Sequence, residues 1–484
     1  MSDCPGLLDL LHPDGLAGRV GVVGEGCPDR LRPDAREAAP PWDLAIVAPS
    51  ASEARSGGWT ERAATHTERS MAAEGLVYVL APPRARARLA LALARRGFPA
   101  EGTFLHLPSP AASELLLPLE RQAFEGAVHR LLAPGSSRSR ALLVAAGVPG
   151  ALRMLARLHP SVGLLARRPS SRPLASWISA TEPRRRLAMI RVRWRLDRAR
   201  AVIHLLPESR AEGAVVKVAL REPDPAGGLE REAAALAELA PAARAAGAAV
   251  PAGTLSSPAS RCPALLLDRL AGTPAFTLLA ARPTAYEGVV RGLGAWLEAW
   301  SRATCRARHL DAATLDAWVL GPARRLADRF EGGAEYSAWL ESRCKPLVGR
   351  AVPVVATHND LTMSNVLVQP GGKLGIVDWE AAAAEGLPLR DFAYAAVDAT
   401  AARDRYRDRP GAFDRCFGAG GSGVVGEVLR RLRRAVDLPE DFATVAFHAC
   451  WLQHAEDEQR KRGPGERLPF LECVRRAAVL RGRI

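Results

Sequence analysis

The sequence lacks several features that would place it in a common class of protein. Its eight cysteines are scattered and form no C-x-x-C pair, which argues against both a zinc site and a disulfide framework. No run of about 18 apolar residues occurs, and no basic segment leads into an apolar core at the N-terminus. These absences predict a cytoplasmic protein with no membrane partner.

Aromatic residues are scarce, at 5% of the chain, whereas the formal net charge is +14. A protein with this charge would bind a polyanion only if its basic residues were clustered on one surface. Most of the basic residues are not interleaved with aromatic ones, and the sequence contains no recognisable nucleic-acid-binding module. We therefore expect no nucleic-acid partner and an arginine-rich surface in contact with solvent.

The 484 residues are enough for several domains, and three segments differ in pattern. Residues 1–170 alternate short apolar runs with helical patterns, which predicts an α/β domain with a mainly parallel sheet. The polar, proline-interrupted R-R-P-S-S-R at 167–172 marks the predicted end of this domain. Residues 171–268 predict a small antiparallel sheet, and residues 269–484 a mainly helical segment that contains two short strands.

Within the first segment, the pattern predicts strands and helices at particular places. The expected strands are 19–24, 42–48 and 76–81, followed by a hairpin of 103–107 with 114–119. The expected helices are near 68–73 and at 84–96, 121–132 and 150–158. In the second segment, apolar residues alternate with arginines from Ile190 to Leu196, a period of two that predicts a strand rather than a basic helix.

The most informative stretch is 354–391, in which two apolar runs enclose a polar loop. The loop contains His358, Asp360 and Asn365, and Asp378 ends the second apolar run. A hairpin of this kind presents the polar side chains at one end. An aspartate near a hydroxyl group can orient it and accept its proton, while Asn and Asp oxygens suit a Mg²⁺ ion that bridges nucleotide phosphates. The stretch therefore predicts phosphoryl transfer.

The spacing H-x-D-x-x-x-x-N, followed thirteen residues later by an aspartate, resembles the catalytic core of the aminoglycoside phosphotransferase and choline kinase group. These are small-molecule relatives of the protein kinases. The resemblance implies an α+β, two-lobed protein-kinase-like fold with a small antiparallel-sheet lobe and a helical lobe. It also implies ATP and Mg²⁺ as cofactors, Asp360 as the catalytic residue, His358 as a support of the loop, and Asn365 and Asp378 as metal ligands.

Two further positions bear on this resemblance. Asn359 stands where the family usually has glycine, and asparagine tolerates the unusual backbone dihedrals expected there. Asp391, preceded by Gly386-Leu387-Pro388, matches the aspartate with which the family braces its catalytic loop.

An upstream lysine and glutamate extend the nucleotide site. Lys217 lies in the apolar strand pattern V-V-K-V-A, from which it could reach nucleotide phosphates. Glu232, in the helical pattern that follows, matches the family residue that pairs with this lysine, and Glu230 is the alternative. The turn from Leu196 to Arg200 contains no glycine, although backbone N–H groups approach phosphates most easily at glycine.

The segment 1–170 weakly resembles the later part of a class I methyltransferase fold. Val23-Gly24-Glu25-Gly26 fits a glycine turn near a nucleotide, but too few residues follow it to complete the cofactor half. A degenerate structural or docking domain is therefore favoured over a working methyltransferase.

The sequence thus predicts a phosphotransferase that acts on a hydroxyl group of a small molecule, such as an amino sugar or amino alcohol. The alternative is a non-catalytic, kinase-like nucleotide-binding protein with a regulatory or scaffold role. For a cationic acceptor, an acidic and aromatic pocket could form from six late residues, although these also fit the polar face of a helix. They are Glu380, Asp398, Trp451, His454, Glu456 and Asp457.

Overall fold

The computed structural model of this protein contains two compact units. The first comprises Met1–Glu230 and Gly253–Arg269, and the second comprises Arg231–Ala252 and Leu270–Ile484. The structure describes residues 19–28, 39–107, 109, 114–131, 137–169, 185–194, 199–207, 213–221, 225–256, 264–418, 423–461 and 467–481.

The first unit is built on an 11-stranded sheet, in the order β1-β2-β3-β6-β4-β5-β7-β8-β9-β11-β10. Among the described pairs, β1–β2 and β2–β3 are parallel, and those from β3–β6 onward are antiparallel. The strands are β1 (Val20–Val23), β2 (Trp42–Val47), β3 (Met71–Leu80), β4 (Ala100–Leu107), β5 (Leu115–Pro118), β6 (Val162–Arg167), β7 (Arg185–Trp194), β8 (Ala199–Pro207), β9 (Ala214–Arg221), β10 (Gly253–Ser256) and β11 (Ala264–Asp268).

Helices accompany the first part of this sheet. They are α1 (Ala51–Arg55), α2 (Gly57–Ser70), α3 (Pro83–Ala94), α4 (Arg121–Leu131), α5 (Ser137–Gly147) and α6 (Ala151–Leu158). The strands predicted at 19–24 and 42–48, the helix at 84–96 and the β4–β5 hairpin are confirmed.

The helix predicted near 68–73 is present only up to Ser70, where α2 ends; its extension to residue 73 is wrong, because the next residues belong to β3. Met71 pairs with Trp42 of β2, and this strand pairing overrides the helix propensity of the alanines that follow. The strand β6 was not predicted from the sequence; its residues 162–166 are buried, and it lies between β3 and β4 in the sheet. A short apolar run of this kind can be a strand or a piece of buried helix, and its pattern alone does not decide.

The strands of residues 1–170 join the later strands of the sheet where β5 pairs antiparallel with β7, through Leu115 with Arg191 and Leu116 with Ile190. Ile190 and Val192 are buried and Arg191 is exposed, which is the predicted period of two. The small antiparallel sheet predicted for residues 171–268 is therefore present as β7, β8 and β9, and β11 and β10 extend it. Since the sheet is continuous here, the domain division near residue 170 stays a prediction.

One helix, α7 (Pro225–Ala245), begins in the first unit and continues into the second. The other helices of the second unit are α8 (Ala275–Ala281), α9 (Tyr286–Thr304), α10 (Ala312–Leu315), α11 (Gly321–Leu326), α12 (Gly333–Cys344), α13 (Arg390–Arg403), α14 (Arg409–Phe417), α15 (Gly423–Ala435), α16 (Glu440–Lys461) and α17 (Pro469–Leu480). Its strands are β12 (Thr273–Pro274), β13 (Arg306–His309), β14 (Ala351–Thr357), β15 (Val366–Val368), β16 (Leu374–Ile376) and β17 (Ala383–Gly386). They form two three-stranded sheets, β12-β15-β16 and β13-β14-β17.

Tryptophans form part of the core of the second unit. The apolar spacing of 286–304 predicted α9 with its observed bounds, and Trp296 and Trp300 lie on its buried face. Their rings stack at 5.1 Å, and the ring of Trp300 meets that of Trp379 edge-on at 5.8 Å. Because Trp379 directly follows Asp378, this core supports the backbone beside a predicted metal ligand.

None of the described helices is long and apolar enough to span a membrane.

Candidate active site

The predicted catalytic loop joins two strands of the second unit. It leaves β14 after Thr357 and enters β15 at Val366, and β15 pairs antiparallel with β16. The N–H of Val377 donates to the carbonyl oxygen of Asn365 at 3.0 Å, which continues this pairing by one residue. Asn365 and Asp378 therefore lie at the same end of the hairpin, as the sequence predicts.

Asp391 holds the beginning of the loop. Its two carboxylate oxygens accept backbone N–H groups of His358 at 2.6 Å and of Asn359 at 2.8 Å, and the side chain is buried. The predicted bracing by Asp391 is thus present. Asn359 has a φ of 63°, the left-handed conformation that glycine adopts most easily, so the expectation for this position is also confirmed.

His358 is fully buried, and its Nε2 lies 3.1 Å from the carbonyl oxygen of Val377. Its ring also meets the ring of Trp379 edge-on at 5.1 Å. These contacts tie the first residue of the loop to the strand end that carries Asp378. They fit the supporting role that the family resemblance implies for His358.

Asn365 connects directly to Asp360. Its Nδ2 donates to the carbonyl oxygen of Asp360 at 2.9 Å and to Oδ2 of the same residue at 3.2 Å. The amide therefore restrains the carboxylate, and its own oxygen is directed away from these contacts.

Asp378 is half-buried and has a φ of 70°, a strained conformation for a residue with a Cβ. The next N–H, that of Trp379, donates to Oε1 of Glu232 at 3.3 Å. Glu232 is fully buried in α7, whereas Glu230 is exposed. Of the two acids considered for the nucleotide site, Glu232 is thus the one that lies beside the Asp378 backbone.

Lys217 is buried in β9, where it pairs with Val202 of β8 and with Leu265 of β11. It lies in the first unit, whereas Glu232 lies in the second. The pairing of Lys217 with Glu232 stays a prediction. In the glycine-free turn, Leu196, Asp197 and Arg198 lie outside the described residues.

The late carboxylates expected in an acidic pocket contact cations of the chain itself. Asp398 pairs with Arg409 at 2.9 Å, Glu456 with Arg325 at 2.6 Å, Glu380 with Arg231 at 3.9 Å, and Asp457 with Arg460. Trp451 is fully buried, and the ring of His454 stacks on Tyr394. Asp398, Trp451 and His454 are buried and therefore do not line an open pocket as predicted. A role of Glu380, Glu456 and Asp457 in such a pocket stays a prediction.

Across the described ranges, no group of three or more His, Cys, Asp or Glu side chains could hold a metal ion.

An antiparallel sheet followed by a helical unit, with a braced hairpin at the predicted catalytic residues, defines a protein-kinase-like phosphotransferase fold. In agreement, residues 205–434 match the model of the phosphotransferase enzyme family, APH. The match covers a little under half of the chain and includes every residue predicted for catalysis, nucleotide binding and metal binding. It confirms the resemblance to this family over that segment.

Solved structures of aminoglycoside and macrolide phosphotransferases also show similarity to the chain. The GDP complex of aminoglycoside 2'-phosphotransferase-IIIa is 14% identical in sequence to this chain, with a TM-score of 0.39. The similar region covers 63% of this chain and 97% of that protein. Macrolide 2'-phosphotransferase MphH from Brachybacterium faecium is 21% identical, with coverages of 60% and 91% and a TM-score of 0.34. At such scores neither similarity bears on the substrate. No curated protein matches the chain.

Proposed function

We propose that this protein is an ATP- and Mg²⁺-dependent phosphotransferase that transfers the γ-phosphate to a hydroxyl group of a small molecule, such as an amino sugar, an amino alcohol or a related metabolite. The observation that carries this proposal is the braced loop: Asp391 holds its first two N–H groups, and Asn365 restrains Asp360. The family match over residues 205–434 supports the same reaction.

In this reaction Asp360 would orient the acceptor hydroxyl group and accept its proton. The hydroxyl oxygen forms a bond to the γ-phosphorus while the bond from phosphorus to the bridging β–γ oxygen breaks, and the nucleoside diphosphate leaves. Lys217 would neutralise charge on the nucleotide phosphates from a rigid strand, and His358 would keep the loop attached to the end of β16. In these roles the residues act by positioning and by electrostatic stabilisation, which account for most of the catalysis of phosphoryl transfer.

The residues proposed as magnesium ligands fit a hard cation. Because Nδ2 of Asn365 donates to Asp360, the amide oxygen is the atom that remains for a metal. The carboxylate of Asp378 lies at the same hairpin end, and Mg²⁺ is commonly held by one or two such oxygens together with nucleotide phosphates. The ion would neutralise charge that develops on the transferred phosphoryl group.

The test is an Asp360→Ala variant assayed against a library of hydroxyl compounds with ATP or GTP and Mg²⁺. We expect turnover to fall by at least about a hundredfold, because the general base is lost. The thermal stabilisation by nucleotide with Mg²⁺ should persist, which separates binding from catalysis. Asp404→Asn is the control, since Asp404 pairs with Arg415 on the surface. Equal turnover of Asp360→Ala and wild type would contradict the proposal.

The alternative function is a nucleotide-binding regulatory or scaffold protein without turnover. The glycine-free turn from Leu196 to Arg200 favours it, because glycines ease the approach of backbone N–H groups to phosphates. Thermal stabilisation by ATP and Mg²⁺, combined with no turnover of any library compound, would support this alternative.

A further inference from the structure

The middle of the catalytic loop is held at Met363, which is fully buried between Asp360 and Asn365 in the sequence. The N–H of Met363 donates to Oδ2 of Asp398 at 2.7 Å, and its carbonyl oxygen accepts the N–H of Phe276 at 2.9 Å. The backbone N–H and the carbonyl oxygen of Met363 therefore both have hydrogen-bond partners. The loop is fixed at its centre as well as at its beginning.

The group that holds the Met363 N–H is a buried carboxylate with two other partners. Asp398 also accepts the hydroxyl group of Tyr406 at 2.8 Å and pairs with Arg409 at 2.9 Å. Its side chain is 1% exposed, and burying a polar group this deeply is costly unless it has such partners. Arg409 in turn lies over the rings of Tyr406 and Phe470.

The spacing along α13 explains how one helix supplies both supports of the loop. Asp391 and Asp398 are seven residues apart, which is close to two helical turns, so both project from one face. Tyr394 lies between them on that face. Burial, and after it the charges of Asp398 and Asp360, raise the pKa of Tyr394, which is consistent with Asp398 lying near the catalytic carboxylate.

The segment that supplies Tyr406 is strained. Arg405 and Tyr406 have φ values of 55° and 57°, and two consecutive non-glycine residues in the left-handed region are uncommon. The N–H of Tyr406 donates to the carbonyl oxygen of Ala401 at 2.8 Å, which closes the turn after α13. This turn directs the phenol of Tyr406 to Asp398, so the strain accompanies a specific contact.

We infer that Asp398, Tyr406 and Arg409 form a second support of the catalytic loop, through which Asp398 holds Met363 and thereby positions Asp360. The inference rests on the proposed phosphotransfer. The three are positioning residues, because their contacts reach the reacting groups only through the loop. Asp391 holds the start of the loop, and this second support would fix the part that lies between the general base and the metal ligand.

The kinetic test compares Tyr406→Phe with Tyr286→Phe. Both tyrosines are half-buried and both hydroxyl groups bond to α13, but Tyr286 bonds to Thr400 rather than to Asp398. We expect kcat of Tyr406→Phe, measured as nucleotide turnover, to fall about tenfold with KM for the nucleotide unchanged, since small misplacements of a catalytic group are costly. Tyr286→Phe should keep the wild-type kcat. Equal kcat values of the two variants would overturn the inference.

A second comparison uses Asp398 itself. Asp398→Ala removes the acceptor for the Met363 N–H, whereas Asp398→Asn keeps one oxygen that can accept it. We expect partial recovery of kcat in Asp398→Asn relative to Asp398→Ala. If the two variants have the same kcat, the contact with Met363 does not position the loop.

Hydrogen exchange of the Met363 amide tests the support without depending on the reaction. We expect faster exchange at Met363 in Tyr406→Phe and in both Asp398 variants, and wild-type exchange in Tyr286→Phe. Unchanged exchange in all four variants overturns the inference even if the protein is an active phosphotransferase. If Asp360→Ala turns over like wild type while the exchange changes as expected, it is the proposed function that fails.

Discussion

Replacing Asp391 should both lower the stability of the second unit and reduce the proposed phosphotransferase activity. The carboxylate is 5% exposed and accepts two backbone N–H groups at 2.6 and 2.8 Å. Hydrogen bonds to a charged group contribute about 1.5–3 kcal/mol each, so Asp391→Ala should lower the free energy of unfolding by about 3–6 kcal/mol. Asp391→Asn keeps one accepting oxygen and should lose about half as much.

Urea denaturation followed by tryptophan fluorescence measures this loss, because Trp379 lies against His358 at the base of the loop. The control is Asp404→Asn. Asp404 and Arg415 are 46% and 45% exposed, and a surface pair of this kind contributes at most about 1 kcal/mol. If Asp391→Ala costs no more than Asp404→Asn, the two N–H contacts do not brace the loop.

Two further predictions concern backbone conformation and pH. Asn359→Val should cost about 1–2 kcal/mol in unfolding free energy, measured by the same denaturation, because a β-branched residue is poorly tolerated at a φ of 63°; Asn359→Gly should cost less, and equal losses would contradict the reasoning. Burial lowers the pKa of His448 from 6.5 to about 3, so the folded protein resists protonation there and its stability should fall as the pH drops below 6.5. Thermal melts should show a weaker dependence on acid pH in His448→Asn than in wild type, and identical slopes would exclude His448 as the cause.

The hairpin that carries the proposed catalytic residues could be predicted from the sequence because its determinants are local. Four site residues lie within 21 residues of each other: His358, Asp360, Asn365 and Asp378. The pairing of the two hairpin strands brings residues at this spacing to one end of the hairpin. The brace at Asp391 followed from a family pattern, since no local rule connects it to His358. The bounds of α9 followed from apolar spacing alone.

The remaining contacts depend on how distant segments pack. From the sequence, Asp398 is one of six candidates for an acidic pocket, with the polar face of a helix as the alternative. In the structure it faces Met363, 35 residues earlier, and Tyr406 reaches it only through two left-handed residues. Neither left-handed position carries the glycine or asparagine that would have signalled such a turn.

The pairing of β5 with β7 has a consequence for how this protein can be divided. A fragment that starts at β7 would leave the backbone groups facing Leu115 and Leu116 without their strand partner. An unpaired strand edge is a template for association with other chains. We therefore expect residues 171–484, expressed without the first 170 residues of the chain, to aggregate more readily than the full chain. In the full chain, the N-terminal segment would cover that strand edge.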